Sequence, residues 1–166
     1  MTFANLATGD RVFIDANILT YHFEPHARWG SACSQLLQRI ENQQLLGYTS
    51  HHVIGELSHR LMTIEAHSRL GWQLAGISNR LRTNPAEVRK FNLFRVAVEK
   101  VVQSKLQILP MDSALLLASA ALCQQLGLLT NDGLIVALMQ NNGLDKIASN
   151  DTDFDRVPGI SRYAPV

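Results

Sequence analysis

Short apolar runs alternate with helix-like apolar spacing along the whole chain. The first run, Val12–Ile14, is rich in β-favouring residues and leads directly to Asp15, as buried central strands end. Comparable short runs occur at 45–49, 106–110 and 146–149. These four runs predict the strands of one sheet.

Helical spacing fills the intervals between these runs. Residues 30–42 carry an apolar stripe, and Ser50 is placed to cap a following helix whose apolar positions repeat every three or four residues up to Ile64. Two later helices are predicted at 113–126 and 130–140, the first of them strongly apolar and ended by a glycine.

The middle of the chain, about residues 70–105, is also predicted to be helical. A break is expected at Thr83–Pro85, because proline is tolerated in the first turn of a helix and not in its interior. A new helix is then predicted from about Ala86, with apolar positions continuing to Val102. The sequence therefore predicts an enlarged helical region here.

The order of these elements predicts the fold class. Strands separated by helical stretches too long for hairpins favour a parallel sheet in a three-layer α/β/α sandwich. In such sheets ligands bind beyond the carboxyl ends of the strands, where Asp15 and Asp151 are both placed. The chain has no repeat, low-complexity tract or linker, so residues 1–166 are expected to form a single domain.

Composition places the chain among ordinary globular proteins. Hydrophobic residues make up 46% and charged residues 17% of the sequence. It has no apolar stretch of membrane-spanning length and no signal-peptide pattern at its start. Cys33 and Cys123 are far apart and match no metal-binding spacing, so free thiols in a reducing cytoplasm are expected.

The net charge of +1 hides an uneven distribution. Residues 60–105 contain nine Lys and Arg against three acids, whereas residues 106–166 contain three against six. This could place a phosphate-binding surface beside a cation-binding site, or it could reflect two solvated faces of opposite sign. The basic residues considered for phosphate contact are Arg80, Arg82, Arg89, Lys90, Arg95 and Lys100.

Four scattered acids are the strongest candidates for chemistry, although each has a plain structural explanation. Asp15 follows a strand and could cap the next turn, and Glu56 lies at the border of a helix's buried face, where it could be solvated. Asp132 opens a helix, where the helix dipole favours an acid. Asp151 lies in an acidic loop that could simply be hydrated.

As a set, these acids suit a divalent cation. Mg²⁺ and Mn²⁺ are usually held by a few carboxylates, water and substrate phosphate. Such an ion can generate hydroxide from water and neutralise the leaving oxygen of a phosphodiester, so no Ser, Cys or His nucleophile is needed. The chain has no glycine-rich phosphate loop, no HExxH and no GxSxG sequence.

Four short segments in order make the chain resemble the PIN-domain family, especially the toxin nucleases of bacterial toxin–antitoxin pairs. The resemblance extends from Val12 to about Val157. The segments are FIDANIL at 13–19, VIGEL at 53–57, NDGLIVALM at 131–139 and SNDTDF at 149–154.

The resemblance assigns roles to individual residues. It implies that Asp15, Glu56, Asp132 and Asp151 are the metal-site acids, with Asp15, Asp132 and Asp151 close to the ion. Asp153 matches a further acid that can contribute, and the polar residues that support the site are Asn17 and Ser149.

The resemblance also implies an activity and partners. A Mg²⁺- or Mn²⁺-dependent endoribonuclease is expected, frequently a homodimer and in some members paired with an antitoxin protein. The alternative is a non-catalytic PIN-like module that binds RNA or protein.

The chain departs from compact toxin members in three ways. It is longer, mainly through residues 70–105, and Ser149 replaces a threonine while keeping the hydroxyl. Gly133 follows Asp132, which predicts a looser helix start because glycine is a poor helix former.

Trp72 and the nearby phenylalanines could stack on bases, but their helical spacing favours a place in the core.

Overall fold

A computed structural model describes residues 1–166. Its centre is a five-stranded sheet, in the order β3-β2-β1-β4-β5, in which every neighbouring pair is parallel. The strands are β1 (Arg11–Ile14), β2 (Leu46–Ser50), β3 (Gln107–Leu109), β4 (Lys146–Ala148) and β5 (Ser161–Tyr163). The four predicted strands are confirmed, whereas β5 was not predicted because its sequence, Ser-Arg-Tyr, contains no apolar run.

Helices flank this sheet and confirm the predicted α/β/α class. They are α1 (Ala16–Phe23), α2 (Gly30–Glu41), α3 (His51–Leu70), α4 (Ile77–Thr83), α5 (Pro85–Val88), α6 (Leu93–Gln103), α7 (Ser113–Leu126) and α8 (Thr130–Asn141). Two short 3-10 helices lie at Phe3–Asn5 and Thr152–Arg156. As predicted, Ser50 caps α3 by accepting the Val53 N–H.

The hydrophobic core surrounds β1. Val12, Phe13 and Ile14 are completely inaccessible to solvent, as expected for the central strand of a parallel sheet. A main cluster of 34 buried residues spans the sheet and its flanking helices. A second, small cluster lies beneath the 70–105 region, and its buried members are Ala66, Ile77, Leu81 and Phe91. The placement of Phe91 confirms the predicted core role.

The single helix predicted from about Ala86 to Val102 is wrong, because the chain forms two helices there. Glu65, a buried residue of α3, accepts hydrogen bonds from the N–H groups of Asn92 at 3.1 Å and Leu93 at 3.0 Å. Its carboxylate thus satisfies free donors at the start of α6, which a continuous helix would not have. The interruption between α5 and α6 is therefore imposed by α3.

The looser helix start predicted at Gly133 is also wrong. A Cβ at this position would overlap the Cys123 sulfur and lie 3.1 Å from the Ser119 carbonyl oxygen, both on α7. Glycine thus lets α7 and α8 approach closely one residue after Asp132.

Helix α7 is apolar yet largely exposed. It has no charged residue, and Leu116 and Leu117 are 51% and 76% exposed. No single helix in the chain is both long and apolar enough to cross a membrane. Only α7 and α8 taken together reach that length and composition, and they meet at 115°.

Candidate active site

The register of β1 and β4 brings the first and last acidic segments together. Phe13 pairs with Ile147 and Ile14 with Ala148, and the N–H of Asp15 donates to the Ala148 carbonyl at 3.1 Å. Both strands therefore end at the same edge of the sheet. Asp15 follows one of them, and Ser149 follows the other.

Asp15 is buried and its two carboxylate oxygens have different partners. Oδ1 accepts the N–H of Ala16 at 2.6 Å, so Asp15 caps α1. Oδ2 accepts from the Ser149 hydroxyl at 2.6 Å and from the Asn17 amide. The capping and functional interpretations of Asp15 are thus compatible, because one carboxylate can serve both.

Asn17 and Ser149 connect Asp15 to the next turn of chain. Oδ1 of the Asn17 side chain accepts the N–H of Asn150 at 3.1 Å, and the Ser149 hydroxyl oxygen accepts the N–H of Asp151 at 3.0 Å. Asp151 in turn caps the following 3-10 helix. The two polar residues named from the sequence therefore bridge two of the acids.

The four predicted acids line one cavity of about 390 Å³. They come from the end of β1, the second turn of α3, the first turn of α8 and the loop after β4. The lining residues are Asp15, Asn17, Glu56, Arg60, Leu129, Thr130, Asn131, Asp132 and Asp151. We call this the acid cavity.

Negative charge in the acid cavity is incompletely balanced. Burial raises the pKa of Asp15 to about 6, although the hydrogen bond from Ser149 opposes the rise. Burial also raises the pKa of Asp132 to about 6, and the neighbouring charge of Asp151 adds to the effect. A bound cation would relieve this repulsion.

Two partners of Glu56 were not identified from the sequence. Arg60 forms an ion pair with Oε1 at 2.5 Å, and the Asn131 amide donates to Oε2 at 2.9 Å. Arg60 could have been found from its i, i+4 spacing to Glu56 on one helix face. The contact with Asn131 has no comparable local signal, because it joins α3 to α8.

Asp153 does not line the acid cavity. It forms an ion pair with Arg156 at 3.0 Å, and its charge contributes to the raised pKa of Asp132. Its role as a further metal-site acid stays a prediction.

None of the six basic residues predicted to contact phosphate lines the acid cavity. Lys90 and Arg95 pair with acids three and four residues away along the chain, and Lys100 lines a separate cavity near α1 and α2. Arg80, Arg82 and Arg89 are exposed. Phosphate contact by these residues also stays a prediction.

The donor set of the acid cavity fits a hydrated Mg²⁺ or Mn²⁺. No three His, Cys, Asp or Glu side chains are arranged to hold one ion directly. Mg²⁺ keeps several waters and commonly uses one or two protein carboxylates, so direct contact with all four acids is not needed. Hard carboxylate oxygens with raised pKa values suit such an ion.

Comparison with protein families gives a match over most of the chain. The PIN domain model matches residues 12–160, which include the four acids. The chain belongs to the PIN domain family. A curated relative, Ribonuclease VapC2 of Methanocaldococcus jannaschii, is 26% identical over 148 residues that cover 89% of each chain.

Solved structures confirm the fold. VapBC2 from Rickettsia felis, bound to a DNA fragment from its promoter, has a TM-score of 0.58 and 16% identity, covering 94% of this chain and 99% of that chain. A toxin–antitoxin complex from Klebsiella pneumoniae has a TM-score of 0.53 and 19% identity, covering 90% and 95%.

Proposed function

We propose that residues 1–166 form a single nuclease domain that cleaves RNA phosphodiester bonds with the help of Mg²⁺ or Mn²⁺. The observation that carries this proposal is the acid cavity, in which two of four clustered carboxylates have raised pKa values. The family membership and the ribonuclease name of the curated relative support it.

The acids of the acid cavity and their hydrogen-bond partners then have defined tasks. Asp15, Asp132 and Asp151 hold the cation directly or through water. When bound, the cation lowers the pKa of a water molecule and neutralises charge on the leaving oxygen. The hydrogen bonds from Asn17 and Ser149 fix the orientation of Asp15.

Glu56 orients the attacking water or accepts its proton. Two nitrogens of Arg60 contact Oε1, whereas Oε2 accepts from the Asn131 amide. A carboxylate oxygen has two lone pairs, so Oε2 can accept one further hydrogen bond from water.

Asp15→Asn tests the proposal. We expect Mn²⁺-dependent cleavage of labelled RNA to fall by at least about a hundredfold, because the variant loses a negative charge beside the cation. Circular dichroism should show an unchanged fold. Asp145→Asn is the matched control, since Asp145 is exposed and lies outside the acid cavity.

Cleavage by the wild-type chain that persists in EDTA would contradict the metal requirement. Full activity in Asp15→Asn would contradict the proposed site. RNA binding without any cleavage in Mn²⁺ would instead favour the non-catalytic PIN-like module.

We also propose that the chain acts in the cytoplasm as the toxin of a toxin–antitoxin pair. Support comes from the names of its relatives, which include VapC2 and a toxin–antitoxin complex. Expression of the wild-type chain should arrest bacterial growth, and Asp15→Asn should abolish the arrest. Co-expression of a small protein encoded next to this gene should relieve it.

A second copy of the chain is the proposed occupant of the exposed apolar face of α7. This helix has no charged residue, and Leu117 is its most exposed leucine. Leu117→Glu should convert a dimer to a monomer in light scattering, because a buried interface would then contain an unpaired charge. A wild-type monomer at high concentration would contradict the proposal.

A further inference from the structure

Two further depressions lie beside the acid cavity. A polar recess of about 290 Å³ shares Asn17, Arg60 and Asp151 with it. A cleft of about 420 Å³ between α1, α3 and α4 shares Tyr21 and Arg60 with the recess. Arg60 lines all three, so they adjoin one another around its side chain, and we call the three together the groove.

The far end of this groove, which we call the α1–α3–α4 cleft, differs chemically from the acid cavity. No acid lines it. Its apolar surface comes from Tyr21, Ile64, Leu74 and Ile77, and its polar surface includes His59 and several hydroxyl groups. An apolar, partly aromatic surface beside donors suits a nucleobase and its sugar phosphate.

Arg60 lies at the boundary between the cleft and the acid cavity. Its side chain is 47% exposed while its guanidinium pairs with Glu56. The planar guanidinium has five N–H donors, so it can keep this ion pair and also donate to a phosphate oxygen. A phosphate held here would lie beside the acids.

The 70–105 region supplies one wall of the cleft. Leu74 and Ile77 belong to this region, and Ser78 Oγ lies 3.2 Å from His59 Nε2 across the cleft. Ile77 is buried in the small core cluster, whereas Leu74 is 58% exposed. The region is thus anchored to α3 while it presents an apolar side chain to solvent.

We propose that the α1–α3–α4 cleft binds the nucleotide flanking the cleaved bond of a single-stranded RNA. This inference rests on the proposed nuclease function. The base packs on Tyr21 and Leu74, and the adjoining phosphate contacts Arg60. A single strand is required, because the base faces of a duplex are stacked and cannot reach a protein surface. The lack of acids favours a polyanion over a basic protein segment.

Charge substitutions at Leu74 test the proposal without disturbing the core. We expect Leu74→Glu to weaken binding of a fluorescein-labelled single-stranded RNA, measured in EDTA, by about tenfold through repulsion of phosphate, and Leu74→Lys to strengthen it by a few-fold. Val102→Glu and Val102→Lys are matched controls. Val102 is 59% exposed, belongs to the same region and lines no cavity. The control pair should change the Kd by less than about twofold.

Equal effects at Leu74 and Val102, or no RNA binding by the wild-type chain, would overturn the cleft proposal. A duplex of the same sequence should bind weakly and respond equally to the Leu74 and Val102 substitutions. A Leu74-specific effect on the duplex would overturn the single-strand requirement.

Cleavage in Mn²⁺ is measured separately: Leu74→Glu should raise KM and leave kcat within about twofold. Binding that responds to Leu74 without any wild-type cleavage would count against the nuclease proposal alone.

Discussion

The Ser149 hydroxyl donates to Oδ2 of Asp15 across 2.6 Å, although the two residues are 134 positions apart. The parallel pairing of β1 with β4 creates this contact by ending both strands at the same edge. The hydrogen bond favours the ionised carboxylate and opposes the effect of burial on the pKa of Asp15. Ser149 therefore favours the charged form of Asp15, which the proposed cation would require.

Ser149→Ala should shift the pH dependence of RNA cleavage. Without the hydroxyl, the pKa of Asp15 rises further above about 6, so the acidic limb of the rate profile moves to higher pH. We expect a severe loss of rate near neutral pH and partial recovery in alkaline buffer. Ser149→Thr keeps the hydroxyl and should retain the wild-type profile. Identical profiles for the alanine and wild-type proteins would contradict this role.

The raised pKa values also predict how metal ions affect stability. Asp15 and Asp132 have folded-state pKa values of about 6 against an ordinary value of 3.8. They therefore contribute stability below about pH 4 that is lost as the pH rises through about 6. Mn²⁺ at about 100 times its Kd should raise Tm by about 5 to 10 °C at about pH 7.5.

At about pH 5 the same Mn²⁺ concentration should have little effect on Tm, because cation binding then competes with protonation of both carboxyls. Asp15→Asn should lose most of the increase at the higher pH. Equal shifts of Tm at both pH values would show that the cation binds elsewhere.

Gly133→Ala should destabilise the protein although alanine is the better helix former. The added methyl group would overlap the sulfur of Cys123 and crowd the Ser119 carbonyl oxygen, so the Cys123 side chain must rotate or α7 and α8 must separate. We expect a loss of about 1 to 3 kcal/mol in the free energy of unfolding, measured in urea.

The double variant Gly133→Ala with Cys123→Ala separates crowding from other effects. Removing the sulfur should recover part of the lost stability, because the remaining close neighbour is the Ser119 carbonyl oxygen. If the effects of the two substitutions on the free energy of unfolding were additive, a direct contact between positions 123 and 133 would be contradicted.

Elements with a strong local pattern could be predicted from the sequence. Val12–Ile14 is an uninterrupted apolar run, and it forms the buried central strand. Asp112 caps α7 by accepting the Leu115 N–H, and Gly127 ends that helix with a φ of 64°. Such features depend on residues that are close in sequence, so the local sequence pattern was sufficient to predict them.

The placement of the acids on strands and helices could also be predicted from the sequence, but their hydrogen-bond partners could not. The sequence placed Asp15 and Asp151 after strands and Asp132 at a helix start, as the structure has them. It did not predict that Arg60 and Asn131 share the carboxylate of Glu56. That arrangement requires α3 and α8 to be packed side by side.

By itself, the sequence determined the α/β order, the central strand and the identity of the four acids that line the acid cavity, because each belongs to a recognisable local pattern. Only the tertiary structure decided that Glu65, an unremarkable helix glutamate in the sequence, is buried and starts α6 from 27 positions away. It also decided that Gly133 marks a close helix contact. These features depend on the distance between chain segments remote in sequence, and packing of the whole fold sets that distance.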